Sequence, residues 1–232
     1  MDQFDGMIAY SSVAAQQYHE MGFEKERVFV AINSVQGRPS DDLAPRPDRF
    51  DVLPQILFIG RLVDKKRVDK LLLAADRLTR RKTPISVTVV GDGPSKPALE
   101  RLASQLEVNT TFSGHKEGHD LARIAQQADL FVLPGLGGLA IQEAMAFGLP
   151  VIVVEADGTE NDLIKGNGWV LRDLTVESLA DAIHLAVSDV TRLREMGRES
   201  FRIVKEYANV DAMVDRVIEA AHAINRLGVR KR

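Results

Sequence analysis

The chain contains no cysteine, which excludes disulfides, thiolate metal sites and cysteine nucleophiles and fits a reducing compartment. Aromatic residues make up only 6% of it, with a single tryptophan, so a core must rest on aliphatic side chains. No sign of charge dominates: 30 basic residues face 33 acidic ones, for a net charge of −3. That balance gives no overall case for nucleic acid as a partner. No apolar run approaches the ~20 residues of a membrane span. Met1-Asp2-Gln3 does not open like a signal peptide, so a cytoplasmic protein is expected. What is present is ordinary: 232 residues, 45% hydrophobic and 27% charged, enough for one large core or one full domain plus part of another. The C-terminus is locally basic, with Arg226 and then Arg230-Lys231-Arg232. It reads first as a solvated tail and alternatively as a weak peripheral attraction to anionic membrane lipid.

Apolar runs alternate with helical patterns through most of the sequence. Ile56 to Ile59, Ser86 to Val90, Thr110 to Phe112, Asp129 to Leu133 and Val151 to Val154 read as strands. Between them, Val68 to Arg81, Lys96 to Leu106, Asp120 to Gln127 and Gly138 to Phe147 read as helices. Nearly continuous Val/Ile/Leu runs imply strands buried on both faces, hence an α/β fold with a doubly wound, Rossmann-like parallel sheet. Its ligand crevice would lie at the strand C-termini, where Gly60-Arg61, Gly91-Asp92-Gly93, Ser113-Gly114 and Gly135 to Gly138 fall. The ends differ. Met7 to Val35 carries one βαβ unit, too small to bury its own faces, and Gln36 to Gln55 holds Pro39, Pro45, Pro47 and Pro54, a loop or hinge. After Gly168-Trp169 the chain turns helical over Val176 to Val187, Thr191 to Tyr207 and Asp211 to Leu227.

Several residues at the expected crevice carry chemistry. Arg61 and Lys66, five positions apart, can converge on one anion and neutralise a leaving diphosphate without a metal; a solvated basic run is the alternative. Gly137, Gly138 and Leu139 open a helix whose unpaired N–H groups suit phosphate, or simply make a tight turn. Glu143 sits one turn inside that helix among small and apolar residues, where sugar hydroxyls or a salt bridge would be its partner. His115 follows the third strand, and its turn reads as a backbone contact to a base edge rather than as catalysis. Asp92, between two glycines, reads as a turn residue. The acids of Asp157 to Asp162 suit N-capping, with Glu160 as a further candidate for a sugar. No His/Asp/Glu spacing indicates a metal site.

Together these pieces resemble the nucleotide-sugar-binding half of a family 4 retaining glycosyltransferase of GT-B fold. The matching runs are FIGRLVDKK (Phe58 to Lys66), VVGDGPSKPALERLA (Val89 to Ala103), FSGH (Phe112 to His115), ADLFVLPG (Ala128 to Gly135), GLAIQEAMAFGLPVI (Gly138 to Ile152) and GNGWVL (Gly166 to Leu171). The resemblance implies that Arg61 and Lys66 hold the donor diphosphate as the catalytic pair, in a donor site completed by Gly60, Gly91, Gly137, Gly138 and Leu139. Glu143 would hold the ribose, and His115 and Lys116 would meet the base. The donor would be a UDP- or GDP-sugar, with no metal and no other cofactor. The implied organisation is a remnant of the acceptor domain plus hinge over 1–40, a proline-rich linker over 41–55, the nucleotide-sugar domain over 56–205 and a crossover helix over 206–232.

Two departures stand out. The first acid of the family's glutamate pair is replaced by Gly135, eight residues before Glu143, which leaves Glu160 as the substitute for the sugar contact. Most of the N-terminal acceptor domain is also missing from the resemblance, so this chain is expected to bind donor and to transfer little without that domain or subunit. A non-catalytic nucleotide-sugar-binding or regulatory module is the competing expectation. A sugar-nucleotide epimerase rests on architecture alone. A dinucleotide dehydrogenase is disfavoured because no G-x-G-x-x-G follows the first strand of the main sheet.

Overall fold

The computed structural model describes residues 4–34, 37–39 and 43–227. Met1-Asp2-Gln3, Val35 and Gln36 at the end of the first βαβ unit, the start of the linker at Asp41-Asp42, and the basic run Arg230-Lys231-Arg232 lie outside the described residues.

Strand β1 (Met7–Ala9), helix α1 (Ser12–Glu20) and strand β2 (Val28–Val30) form a small parallel two-stranded unit. A long alternation begins at β3 (Gln55–Ile59). It continues through α2 (Val68–Arg80), β4 (Ser86–Val90), α3 (Lys96–Gln105), β5 (Thr110–Gly114), α4 (Gly118–Gln127) and β6 (Leu130–Leu133). After these come α5 (Leu139–Ala146), β7 (Val151–Val154), α6 (Thr159–Leu163) and β8 (Gly168–Leu171). Helices α7 (Val176–Val187), α8 (Val190–Glu206) and α9 (Val210–Leu227) complete the described chain.

The main sheet is parallel throughout, in the order β5-β4-β3-β6-β7-β8, the doubly wound arrangement expected from the apolar runs. Strand β8 was not among the expected strands. It has four residues, begins at a glycine and is partly exposed at every position, as an edge strand is, so it lacks the buried run that marks its neighbours. Successive crossovers run outward from β3 to β5 and then return to β6, so right-handedness sends the helices to opposite faces. Accordingly α2 packs with α3 and α7, while α5 packs with α8. The direction of winding reverses between β3 and β6, and a crevice opens there outside the strand C-termini. Ile56, Leu57, Phe58 and Leu130 to Leu133 are fully buried between the two helical layers, which accounts for their unbroken apolar pattern.

The proline-rich stretch carries no helix or strand over 43–54, yet it is firmly anchored at the amino ends of the strands. Arg46 donates to the carbonyls of Ala125, Gln126 and Ala128 at the end of α4 and to that of Phe147 after α5. A cation there satisfies carbonyls that a helix C-terminus leaves unpaired. Burial, and then the neighbouring Arg194, lower the Arg46 pKa to about 10. Arg194 reaches out from α8 to donate to Pro47 O at 2.8 Å, and it pairs with Asp129 at 2.7 Å in a buried ion pair. The other oxygen of Asp129 accepts from Gln55 N at 2.8 Å.

Helix α9 crosses back to the N-terminal unit and packs on β2. There Ser34 N donates to Met213 Sδ at 3.4 Å. Among the described residues, no helix is long and apolar enough to cross a membrane.

Candidate functional site

The turns that leave β3, β4 and β5 stay laced together at the mouth of the crevice. Gly60 N donates to Val90 O at 3.0 Å, and Gly91 N donates to Gly114 O at 2.8 Å. A Cβ on Gly91 would lie 1.9 Å from Gly60 O, so the two backbones touch there. Asp92 accepts from Gly93 N at 2.7 Å and serves its turn, as expected.

The two loops on either side of the switch point are also joined. Lys66 ends a short 3₁₀ turn (Asp64–Lys66) and is half-buried. Its Nζ donates to Leu136 O at 2.7 Å and to Gly137 O at 3.1 Å. Leu136 N in turn donates to Lys65 O at 3.1 Å. This closeness explains Gly135, where a Cβ would fall 2.2 Å from Lys65 O and 2.6 Å from Lys66 Cα. The missing acid therefore has a steric reason: only glycine lets the segment lie on the 65–66 backbone. Desolvation, and then Lys65, lower the pKa of Lys66, while Asp157 opposes the shift. Arg61 is exposed, and its side chain has no partner among the described residues. The structure thus brings Lys66 onto the glycine loop and leaves Arg61 in solvent.

Gly138 caps α5 with φ at +127°, and among the described residues no side chain caps the first N–H groups of this helix, which include that of Leu139. Glu143 lies one turn further on. Burial and then Glu117 raise its pKa above the usual carboxylate range, while His115 opposes the shift. His115 Nε2 lies 2.8 Å from Glu117 Oε1, and both side chains are largely exposed. Lys116 points elsewhere, into a cavity along β5. Among the described residues no group of three His, Asp or Glu side chains is arranged to hold a metal ion.

The sequence profile described as "Glycosyl transferases group 1" matches residues 42–203, more than half of the chain. The chain belongs to that family. D-inositol 3-phosphate glycosyltransferase of Nocardia farcinica is 30% identical over 213 residues, covering 83% of this chain and 47% of that protein. Alpha-D-kanosaminyltransferase of Streptomyces kanamyceticus is 27% identical over 207 residues, covering 84% and 51%. The chain thus spans about half the length of these curated relatives. The crystal structure of Anabaena HepE in complex with UDP superposes with a TM-score of 0.76 at 18% identity, over 96% of this chain and 65% of that one. At that identity the likeness shows a GT-B glycosyltransferase fold.

In this group 1 chain the loop after β7 differs from expectation. Glu160 is 1% exposed, and its Oε1 accepts from Ala156 N at 2.6 Å and Gly158 N at 3.2 Å. Through Oε1 it is a buried strut for the loop, while Oε2 is buried without a hydrogen-bond partner among the described residues. Asp157, on the same loop, is exposed and close enough for Lys66 to feel its charge. Asp162 does not cap α6. It accepts from Ser12 N at 2.7 Å and Ser12 Oγ at 2.6 Å, tying α1 to the loop. Gln142, which sequence reasoning passed over, is 1% exposed and donates to Asn33 O at 2.8 Å. A polar residue on an otherwise apolar helix was the signal available for it.

Proposed function

We propose that this chain is the donor-binding half of a retaining glycosyltransferase. It holds a UDP- or GDP-sugar and hands the sugar to an acceptor presented by an N-terminal domain or subunit. The observation that carries this reading is the junction at the switch point. There the Lys66 ammonium already rests on carbonyls of the glycine loop, directly before the uncapped start of α5. A diphosphate entering the crevice offers Lys66 charged oxygens in place of neutral carbonyl groups. The N–H groups of Gly138 and Leu139 take the opposite side of the phosphate, and Arg61 folds in from solvent. These fixed positive groups stabilise the departing nucleoside diphosphate, the work that a metal does elsewhere. Glu143 takes the ribose hydroxyls, and the His115 turn meets the base. With Gly135 unable to carry an acid and Glu160 buried, Asp157 is the carboxylate offered to the sugar.

The relatives' glycosyltransferase names and the UDP complex of HepE support a nucleotide-sugar donor. The half-length match supports the view that transfer needs more than this segment. The closed Gly135 loop favours a second reading, a module that binds nucleotide sugar without turning it over. Calorimetric titration with UDP, GDP and their sugars tests binding. Micromolar or tighter affinity for one nucleotide, weakened roughly ten- to a hundredfold in Lys66→Ala, is the expected result, and no binding to any nucleotide would sink both readings. Supplying the N-terminal half as a second polypeptide separates them, because restored sugar transfer selects the enzyme and intact binding with no transfer selects the module.

A further inference from the structure

A cavity of about 790 Å³ lies along the outer strands β4 and β5, beneath α4 and beside the anchored 46–51 stretch. That volume is within the range of small-molecule sites. Strand alternation sends Val87 and Val89 into the core and leaves Ser86 and Thr88 on the cavity side, with Thr111 and Ser113 alongside on β5. Thr88 and Thr111 are register partners, so neighbouring hydroxyl-bearing positions stand one strand spacing apart, ~4.8 Å. None of these four hydroxyls has a side-chain hydrogen-bond partner among the described residues.

The charges around them are not balanced. Arg49, Arg123 and Lys116 line the cavity without an ion-pair partner among the described residues, against the single unpaired acid Asp51. The whole chain carries a net charge of −3, so three free cations here run against the overall balance. Arg194 also lines the cavity. Its side chain is 5% exposed, and among the described residues its Nη1 has no hydrogen-bond partner although its Nε and Nη2 do. A buried guanidinium N–H left unmatched is costly and is normally satisfied by some acceptor.

We infer that this cavity is a binding site for a phosphorylated sugar, separate from the crevice. It starts at Gln55 and Ser86, the amino ends of their strands, and runs along β5 to Ser113 and Lys116, whereas the crevice lies outside the carboxyl ends of the central strands β3 and β6. Arginine and lysine take the phosphate. The serine and threonine hydroxyls, which both donate and accept, match the hydroxyls of a sugar. Pro47 and Ile124 on the wall give its C–H face an apolar surface.

The test is titration of the full chain with glucose 6-phosphate, glucose and inorganic phosphate, with and without saturating UDP. Saturable binding of glucose 6-phosphate that persists with UDP present is expected, with glucose and phosphate each about tenfold weaker or more. The double variant Arg49→Ala/Arg123→Ala should weaken glucose 6-phosphate about tenfold or more. Thr88→Val/Thr111→Val, which keeps the β-branched shape, should weaken the sugar phosphate but not inorganic phosphate. Absence of binding, competition by UDP, or an affinity unchanged in both double variants would overturn the inference. So would phosphate alone binding as tightly as glucose 6-phosphate.

Discussion

Two regions of the main sheet, the buried joint around Asp129 at the amino end and the crevice at the carboxyl end, use the same charged residue types for opposite purposes. At the amino end Arg194 and Asp129 are paired and buried, and the two terminal nitrogens of Arg46 donate to four carbonyls. At the carboxyl end, among the described residues, Arg61 is unpaired and exposed, Glu143 is half-buried without a cation of its own, and the Lys66 ammonium donates to neutral carbonyls. Paired burial fixes the linker and two helix ends in place. Incomplete pairing leaves groups still able to take a partner, which is what the proposed donor site asks of them.

The largest expected effect comes from breaking the amino end. Arg194→Ala leaves Asp129 buried without its cation, which costs about 3–5 kcal/mol. Chemical denaturation should show that loss, while UDP affinity below the melting transition stays within about twofold. A large loss of affinity with unchanged stability would mean that the two ends are not separate in role.

Next comes Lys66→Ala. A lost charge-assisted contact to phosphate is worth about 1.5–3 kcal/mol, so UDP or GDP affinity should fall roughly ten- to a hundredfold. Stability should change little, because the side chain gives up only contacts to half-exposed carbonyls. Gly135→Ala follows, since it pushes a methyl group into the Lys65–Lys66 backbone. It should cost about 1–3 kcal/mol and separate the loops that Lys66 now bridges. If Gly135→Ala melts like the parent protein, the two loops are not held together in solution.

The two ends were unequally legible in the sequence. The doubly wound sheet followed from apolar runs such as Ile56 to Ile59 and Leu130 to Leu133, because burial on both faces leaves no polar position in a strand. Glycine turns and the acid on an apolar helix marked the crevice for the same reason: each breaks a local pattern. Arg46, Asp129 and Arg194 broke none. Each is an ordinary charged residue in sequence, 65 positions separate Asp129 from Arg194, and only the folded sheet brings them together. Gly135 was legible as a missing acid but not as a contact, since its reason lies in the Lys65–Lys66 backbone on another loop. Glu160 misled because an exposed cap and a buried strut look alike in a run of acids.

The smallest expected effect concerns Glu143 and turns on pH. Its folded pKa is raised, chiefly by burial, so its ionised form is less favourable in the folded chain than in the unfolded one. The stability tied to this group is therefore fully present below the ordinary glutamate pKa and is lost as pH rises through the raised folded value. Glu143→Gln has no such loss. Its melting temperature should match the parent's in acid and exceed it by a degree or two at neutral pH, where a gain of under about 1 kcal/mol is expected. Nucleotide binding should move the other way, because ribose hydroxyls donate best to the carboxylate. Parent affinity should weaken on acidification through the raised pKa, and that of the glutamine variant should stay flat. A variant no more stable than the parent at neutral pH would place Glu143 among the paired groups of the amino end, and the contrast between the two ends would fail at its most exposed point.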